Sequence, residues 1–439
     1  MISVLTPPLP SSTVSLSSVP LDHLGDIVSF LSVKDVGDLF FVGKSINASI
    51  KYFLECFSDQ HISFNTSILT AAPTKRLAIM EELDRYIRFF GPTSPRWAPL
   101  STQLPAGFFR VGFDLNFNFN KIAYSIGYLS ADPANGQTLV ADGVHNLLSA
   151  LLRDQQATPV EKQWAAQALC NLSRDPANRQ ALVAAGVHNS LSALLRDQQA
   201  TPVGKQWAAE ALCNLSRDPA NGQALVAAGV HIRLSELLSD PQATDMAIEH
   251  AAGALCNLSA DPANGQALVA AGVHNLLSKL LMDLMDRQET DMAIEHAAGA
   301  LCNLSRDPAN GQALIAAGVH NLLSELLSDQ QATDMAKQCA ALALWYLSRD
   351  PANLPILMAA GVYIRLSELL MDPLATPLAK QCAAGALCNL SDNPANRQTL
   401  VDAGVHIQLS TILRDPQATD MAKKWAVLAL RRLSADPAN

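Results

Sequence analysis

From Ala254 to His274 the chain reads Ala-Leu-Cys-Asn-Leu-Ser-Ala-Asp-Pro-Ala-Asn-Gly-Gln-Ala-Leu-Val-Ala-Ala-Gly-Val-His, and near-copies of this stretch fill its last two thirds. The proline of the Pro-Ala-Asn core falls at Pro133, Pro176, Pro219, Pro262, Pro308, Pro351, Pro394 and Pro437, in steps of 43 residues with a single step of 46. Self-similarity at this period means stacked supersecondary units, each of which buries its apolar face only against its neighbours. Such an array presents an extended surface, and the task of an extended surface is binding.

The punctuation of one repeat predicts three helices. Asp261 supplies a capping carboxylate, and Pro262 follows at the first helical position, where a missing amide costs nothing. A short helix then runs over Ala263 to Ala271 and stops at Gly272, a residue that accepts the left-handed turn. A second helix covers Val273 to Leu281 and buries Leu276, Leu277, Leu280 and Leu281. Thr290 caps a third, which ends near Leu304. In other copies Pro159, Pro202 and Pro377 follow the equivalent threonine, and Thr158 with Glu161 has capping-box spacing. The three extra residues of the longer repeat fall around Leu284–Gln288 and are expected to form a loop insertion between the second and third helices.

Composition excludes several kinds of protein. The formal charge is −9, against a nucleic-acid binder, which needs many basic phosphate contacts. No run of 18 apolar residues predicts a membrane span. The N-terminus lacks a basic n-region, so no signal peptide is expected, and Ile2 excludes N-myristoylation. Seven of the eight cysteines follow the repeat period (Cys170, Cys213, Cys256, Cys302, Cys339, Cys382 and Cys388) and form no Cys-x-x-Cys pair. They read as buried, reduced thiols of a cytoplasmic or nuclear protein, with no metal and no cofactor implied. The Gly-Val-His histidines (His145, His188, His231, His274, His320 and His406) recur once per repeat, about 10 Å apart if helix spacing is a guide. Metal–nitrogen bonds of about 2 Å do not bridge that distance. Gly43-Lys44-Ser45 ends like a phosphate loop, but Gly37 is one residue too far away and the intervening residues are helical in pattern. No nucleophile–base pair is spelled out, so no enzyme is expected.

One short and two longer helices per repeat, with Ala-Gly-Val inside and Ala-Leu-x-Asn-Leu-Ser at the end, resemble armadillo repeats over residues 121–439, about seven repeats. The resemblance implies an all-α, right-handed α-solenoid whose third helices line a concave groove that takes a protein or an extended peptide. It also implies that the motif asparagines, here Asn171, Asn214, Asn257, Asn303 and Asn389, hold a peptide backbone, since an amide side chain donates and accepts at once. The ladder is interrupted at Tyr128, Tyr346 and Arg432. Seven positions earlier on the same helix face stand Trp164, Trp207, His250, His296, Cys339, Cys382 and Trp425. Four positions earlier stand Gln167, Glu210, Gly253, Gly299, Leu342, Gly385 and Leu428. Importin-α-like receptors carry tryptophans in the latter row; this chain has none there, which argues against recognition of nuclear-localisation signals. The two rows change from repeat to repeat while the helix cores do not.

Ahead of the repeats the composition shifts: all 13 phenylalanines lie at or before Phe119. Residues 1–18 read as a disordered tail, and residues 54–120 as a linker with a partly helical region. Residues 19–53 carry two amphipathic helical patterns, one with Leu24, Ile27 and Leu31, the next with Val36, Leu39 and Val42. With Pro20, Asp35 and Lys44 this segment resembles an F-box, although Ile46 stands where that family often has tryptophan. The resemblance implies docking on a Skp-type adaptor and a role as substrate receptor of an SCF-type cullin–RING ubiquitin ligase. The alternatives are an armadillo scaffold without a ligase link, similar to β-catenin or vacuolar adaptors, and a nuclear-transport receptor.

Overall fold

The computed structural model describes residues 123–287 and 292–435. The F-box-like segment with Pro20, Leu24, Ile27, Leu31, Val36, Leu39 and Val42, the linker to residue 120, the Thr290 cap and the last Asp-Pro-Ala-Asn copy lie outside the described residues. Among the described residues no single helix is long and apolar enough to cross a membrane.

Each repeat folds as its punctuation dictates. Asp175 accepts the Ala177 amide at 2.9 Å, and Pro176 opens the short helix Pro176–Ala184. Gly186 turns the chain with φ 74°, a left-handed conformation that a Cβ would strain. The second helix, Val187–Arg196, stops where Asp197 becomes extended. Thr201 then accepts the Gly204 amide at 2.9 Å and starts the third helix, Pro202–Ser216. The predicted capping box is present: Thr158 takes the Glu161 amide, and the Glu161 carboxylate takes the Thr158 amide at 2.7 Å. Two of the first helices, at Pro219–Asn221 and Pro351–Asn353, open with a 3-10 turn.

The third helices are Ala123–Leu129, Pro159–Arg174, Pro202–Ser216, Asp245–Ser259, Met292–Ser305, Asp334–Leu347, Pro377–Leu390 and Asp420–Leu433, each packed on the one before and the one after. Alanines make that approach close. Ala165, Ala166 and Ala168 are fully buried beside Leu169, and their equivalents are buried in the next five repeats. Each buried leucine is worth about 1.5–3 kcal/mol, and these leucines form one apolar stripe along the stack of third helices.

The longer repeat departs from expectation. Its second helix runs over Val273–Asp286 and absorbs the extra residues as a further turn of helix. Leu277, Leu280, Leu281 and Leu284 keep helical spacing, and Leu284 is only 5% exposed. Elsewhere the aspartate at this point is followed by polar residues or proline; here Asp283 is followed by an apolar residue with core to reach.

Candidate functional site: the third-helix face

Side-chain ties at regular intervals hold the repeats in register and position this face. The asparagine of each described Pro-Ala-Asn core is buried and donates six residues back, to the last turn of the preceding third helix. Asn178 to the Leu172 carbonyl is 3.1 Å, and Asn264 to Leu258 is 3.0 Å. Among the described residues, five of the threonines that cap third helices also donate their hydroxyl to the preceding repeat: Thr201 to Gln163 (2.8 Å), Thr244 to Gln206 (3.0 Å), Thr333 to Glu295 (2.6 Å), Thr376 to Gln338 (2.8 Å) and Thr419 to Gln381 (2.8 Å). Lys162 and Lys205 reach forward to Asp197 and Asp240, both at 2.8 Å.

The asparagine ladder sits on the same face, and its donors point into the stack. Asn171 Nδ2 lies 3.1 Å from both the Gly127 carbonyl and Ser130 Oγ. Asn214 reaches Ser173 Oγ at 3.3 Å, Asn257 reaches Ser216 at 3.1 Å, Asn303 reaches Ser259 at 3.2 Å and Asn389 reaches Ser348 at 3.0 Å. Each therefore fastens its third helix to the one before. The amide oxygens take no part in these bonds, except that Asn171 Oδ1 accepts from Arg174 at 3.0 Å. Where the ladder ends, Arg432 makes the equivalent tie, donating to the Cys388 carbonyl at 2.8 Å.

The varied rows stand beside the ladder. Trp164 and Trp207 are half-buried, and Trp164 meets Tyr124 edge to face with ring centroids 4.5 Å apart. Gln167 is half-buried one turn along from Trp164. Arg174 bonds Glu210 at 2.8 Å, and Glu210 lies 3.7 Å from His250 Nε2. Burial pushes the His250 imidazole below its ordinary pKa, against the pull of Glu210, so the ring is neutral at neutral pH. His296 covers Gly253, where a Cβ would stand 3.2 Å from its ring.

Three features escaped the sequence reading. The buried Pro-Ala-Asn asparagines are one; their period was visible, but their acceptors lie across a turn. A second is the burial of Nδ1 in the Gly-Val-His histidines, which stand at the start of the second helices, where the sequence led one to expect them. Burial lowers the pKa of His145, His188, His231, His274 and His320. The third is Trp345, whose indole packs so tightly on Gly385 that a Cβ there would lie 2.7 Å from it. Trp345 also meets Tyr346 (5.2 Å between centroids) and Arg349 (5.9 Å).

The thiols on this face are held protonated. Burial raises Cys256 and Cys382 to about 12 and lifts Cys170, Cys213 and Cys388 as well. Among the described residues no group of three or more His, Cys, Asp or Glu side chains is placed to hold a metal ion.

No protein-family description matches the sequence, and no curated protein matches it. Among solved structures, an engineered protein 22% identical superimposes with a TM-score of 0.65, the alignment covering 92% of this chain and 99% of that one. A designed armadillo-repeat protein (26% identical) and a second in complex with the peptide (KR)4 (24% identical) each align with a TM-score of 0.48, over 56% of this chain and 99% of theirs. The first likeness bears on the fold alone and agrees with the all-α solenoid described above.

Proposed function

We propose that this chain is a non-catalytic binding scaffold that holds an extended segment of another protein along its third-helix face. The observation supporting this is where variation falls. Caps, alanines, leucines and ties repeat almost unchanged, whereas Trp164, Gln167, Trp207, Glu210, His250, His296 and Leu342 differ from repeat to repeat on one face. Because the ladder asparagines spend their donors on the stack, selectivity falls to these neighbours. Hydrogen bonds of about 1 kcal/mol each give millimolar binding at best, so half-buried Trp164 and Trp207 are the anchors. Changing both to alanine should abolish capture of a native partner with helicity intact. Capture that survives this change but fails on altering Glu236 and Lys279 of the second helices would move the site to the opposite face.

The F-box resemblance of residues 19–53 supports a finer assignment: substrate receptor of an SCF-type cullin–RING ubiquitin ligase, working in the cytoplasm, the nucleus or both. Ile27→Asp with Leu31→Asp should then lose a Skp-type adaptor and leave the melting of the repeats unchanged. If the wild-type protein recovers no adaptor, the chain is an armadillo scaffold without the ligase link.

A further inference from the structure

We propose that the asparagines of four Pro-Ala-Asn cores, Asn135, Asn221, Asn264 and Asn310, are self-modifying sites that record the opening of their repeats. This does not depend on what the third-helix face binds. Each of the four is followed by a glycine, whereas Asn178 and Asn396 precede arginine and Asn353 precedes leucine. In an Asn-Gly pair no side chain shields the glycine nitrogen from the asparagine carboxamide. That nitrogen loses its proton and bonds to Cγ, the Cγ–Nδ2 bond breaks, and ammonia leaves behind a five-membered succinimide. Water then opens one of the two ring C–N bonds and yields aspartate or isoaspartate. Nothing is oxidised or reduced, and water is the sole co-reactant.

Folding keeps the reacting groups apart. The four asparagines are 2–4% exposed. Each donates Nδ2 to a leucine carbonyl, at 2.9 Å for Leu129 and 3.0 Å for Leu215, Leu258 and Leu304. At Asn221 the attacking group is engaged as well: the Gly222 amide donates to the Pro219 carbonyl, and the Asn221 backbone is helical, with φ −85° and ψ −20°. The reaction therefore needs the first helix to open. Packing explains why two of these glycines stand where they do. A Cβ on Gly222 would lie 3.2 Å from Asn264 Nδ2, and one on Gly265 would lie 3.1 Å from Asn310 Nδ2. Close approach to the next repeat's asparagine thus keeps the reactive pair in the sequence. Once converted, a repeat does not close as before. Aspartate sets a buried carboxylate against a carbonyl oxygen where Nδ2 had donated. Isoaspartate adds a backbone carbon inside the helix. Because a repeat contacts only its neighbours, the loss falls on one junction at a time.

The test incubates the full chain in mildly alkaline buffer, with and without urea below the unfolding midpoint, and reads each asparagine by peptide mass spectrometry. In urea Asn135, Asn221, Asn264 and Asn310 should convert several-fold faster than Asn178, Asn353 and Asn396, and without urea all should be spared. Gly311→Ala, whose Cβ would meet Asn353 Nδ2 at an ordinary 3.4 Å, should stop conversion of Asn310 without lowering the melting temperature. Asn310→Asp should lower that temperature and speed hydrogen exchange in Pro308–Ala316. Equal conversion of Asn178 and Asn264 in urea overturns the proposal. So does conversion of Asn264 that is as fast without urea as with it. Recovery of the wild-type exchange pattern by converted protein after urea is removed overturns it too, since the product would then close normally.

Discussion

Between Trp164 and Asn303 the third helices carry an unbroken run of asparagines flanked by ionisable side chains, whereas from Leu342 to Arg432 rings and aliphatic groups take over and the run is broken twice. In the first half the Arg174–Glu210 ion pair crosses adjacent repeats, and the neutral His250 ring stands beyond it, 3.7 Å from Glu210. In the second, Trp345 lies against Gly385 and beside Tyr346. The stacking is nevertheless the same on both sides. Arg432 reproduces the asparagine tie with a guanidinium, and around Tyr346 the threonine tie from Thr333 and the buried Asn353 still hold. The frame is therefore over-determined at each junction, which frees the groove positions to differ.

If that is so, equivalent core positions in the two halves should respond alike. Leu255 and Leu387 are both fully buried, and Leu255→Ala and Leu387→Ala should each cost about 2–5 kcal/mol in urea unfolding. Unequal losses would break the idea of one frame. The glycines should then separate the halves. Gly385→Ala drives a methyl into Trp345 and should cost about 1–3 kcal/mol, a loss that Trp345→Ala reverses. Gly253→Ala meets His296 and Cys213 at 3.2 and 3.3 Å, a lesser conflict, offset by the gain of about 0.8–1.0 kcal/mol from alanine in a helix. The ties come next: Asn257→Ala should lose about 0.5–1.5 kcal/mol, and Arg432→Ala a comparable amount, read as faster hydrogen exchange in the third helix concerned.

Acidification should produce the gentlest contrast at any one site. Burial lowers the folded-state pKa of His145, His188, His231, His250 and His274, all before residue 287, and of His320 after residue 308. A depressed histidine pKa favours the folded state above the unfolded value of about 6.5, and that stability is lost as pH falls below it toward the folded value. Hydrogen exchange compared at about pH 7.5 and about pH 5.5 should speed up more before residue 287 than after 308. Equal acceleration would mean that the buried rings are not the cause.

The helices were legible because their signals are local. Asp261-Pro262, Gly272 and Thr158 with Glu161 each act within one turn of chain, and the period of 43 residues copied the answer along the array. What failed was whatever depended on a partner one repeat away. Spacing placed Asn214 and Asn257 on one face but could not reveal that Ser173 and Ser216 already take their donors. Length alone suggested a loop after Leu281; the burial of Leu284, which turned it into helix, is a property of the packed stack. Trp345 stands where other repeats carry the cysteine of Cys-Asn, and its fit to Gly385 needs two helices at once.

Nearly identical junctions have a further consequence for assembly. Thr244 recognises Gln206 by the same chemistry with which Thr376 recognises Gln338, so a repeat carries little information about which neighbour is its own. During refolding at high concentration, a repeat of one molecule is an acceptable neighbour for a repeat of another, the circumstance in which arrays swap segments. The irregularities then serve as addresses. The lengthened helix Val273–Asp286 and the seat of Trp345 on Gly385 each occur once among the described residues, and the correct alignment of the chain satisfies both.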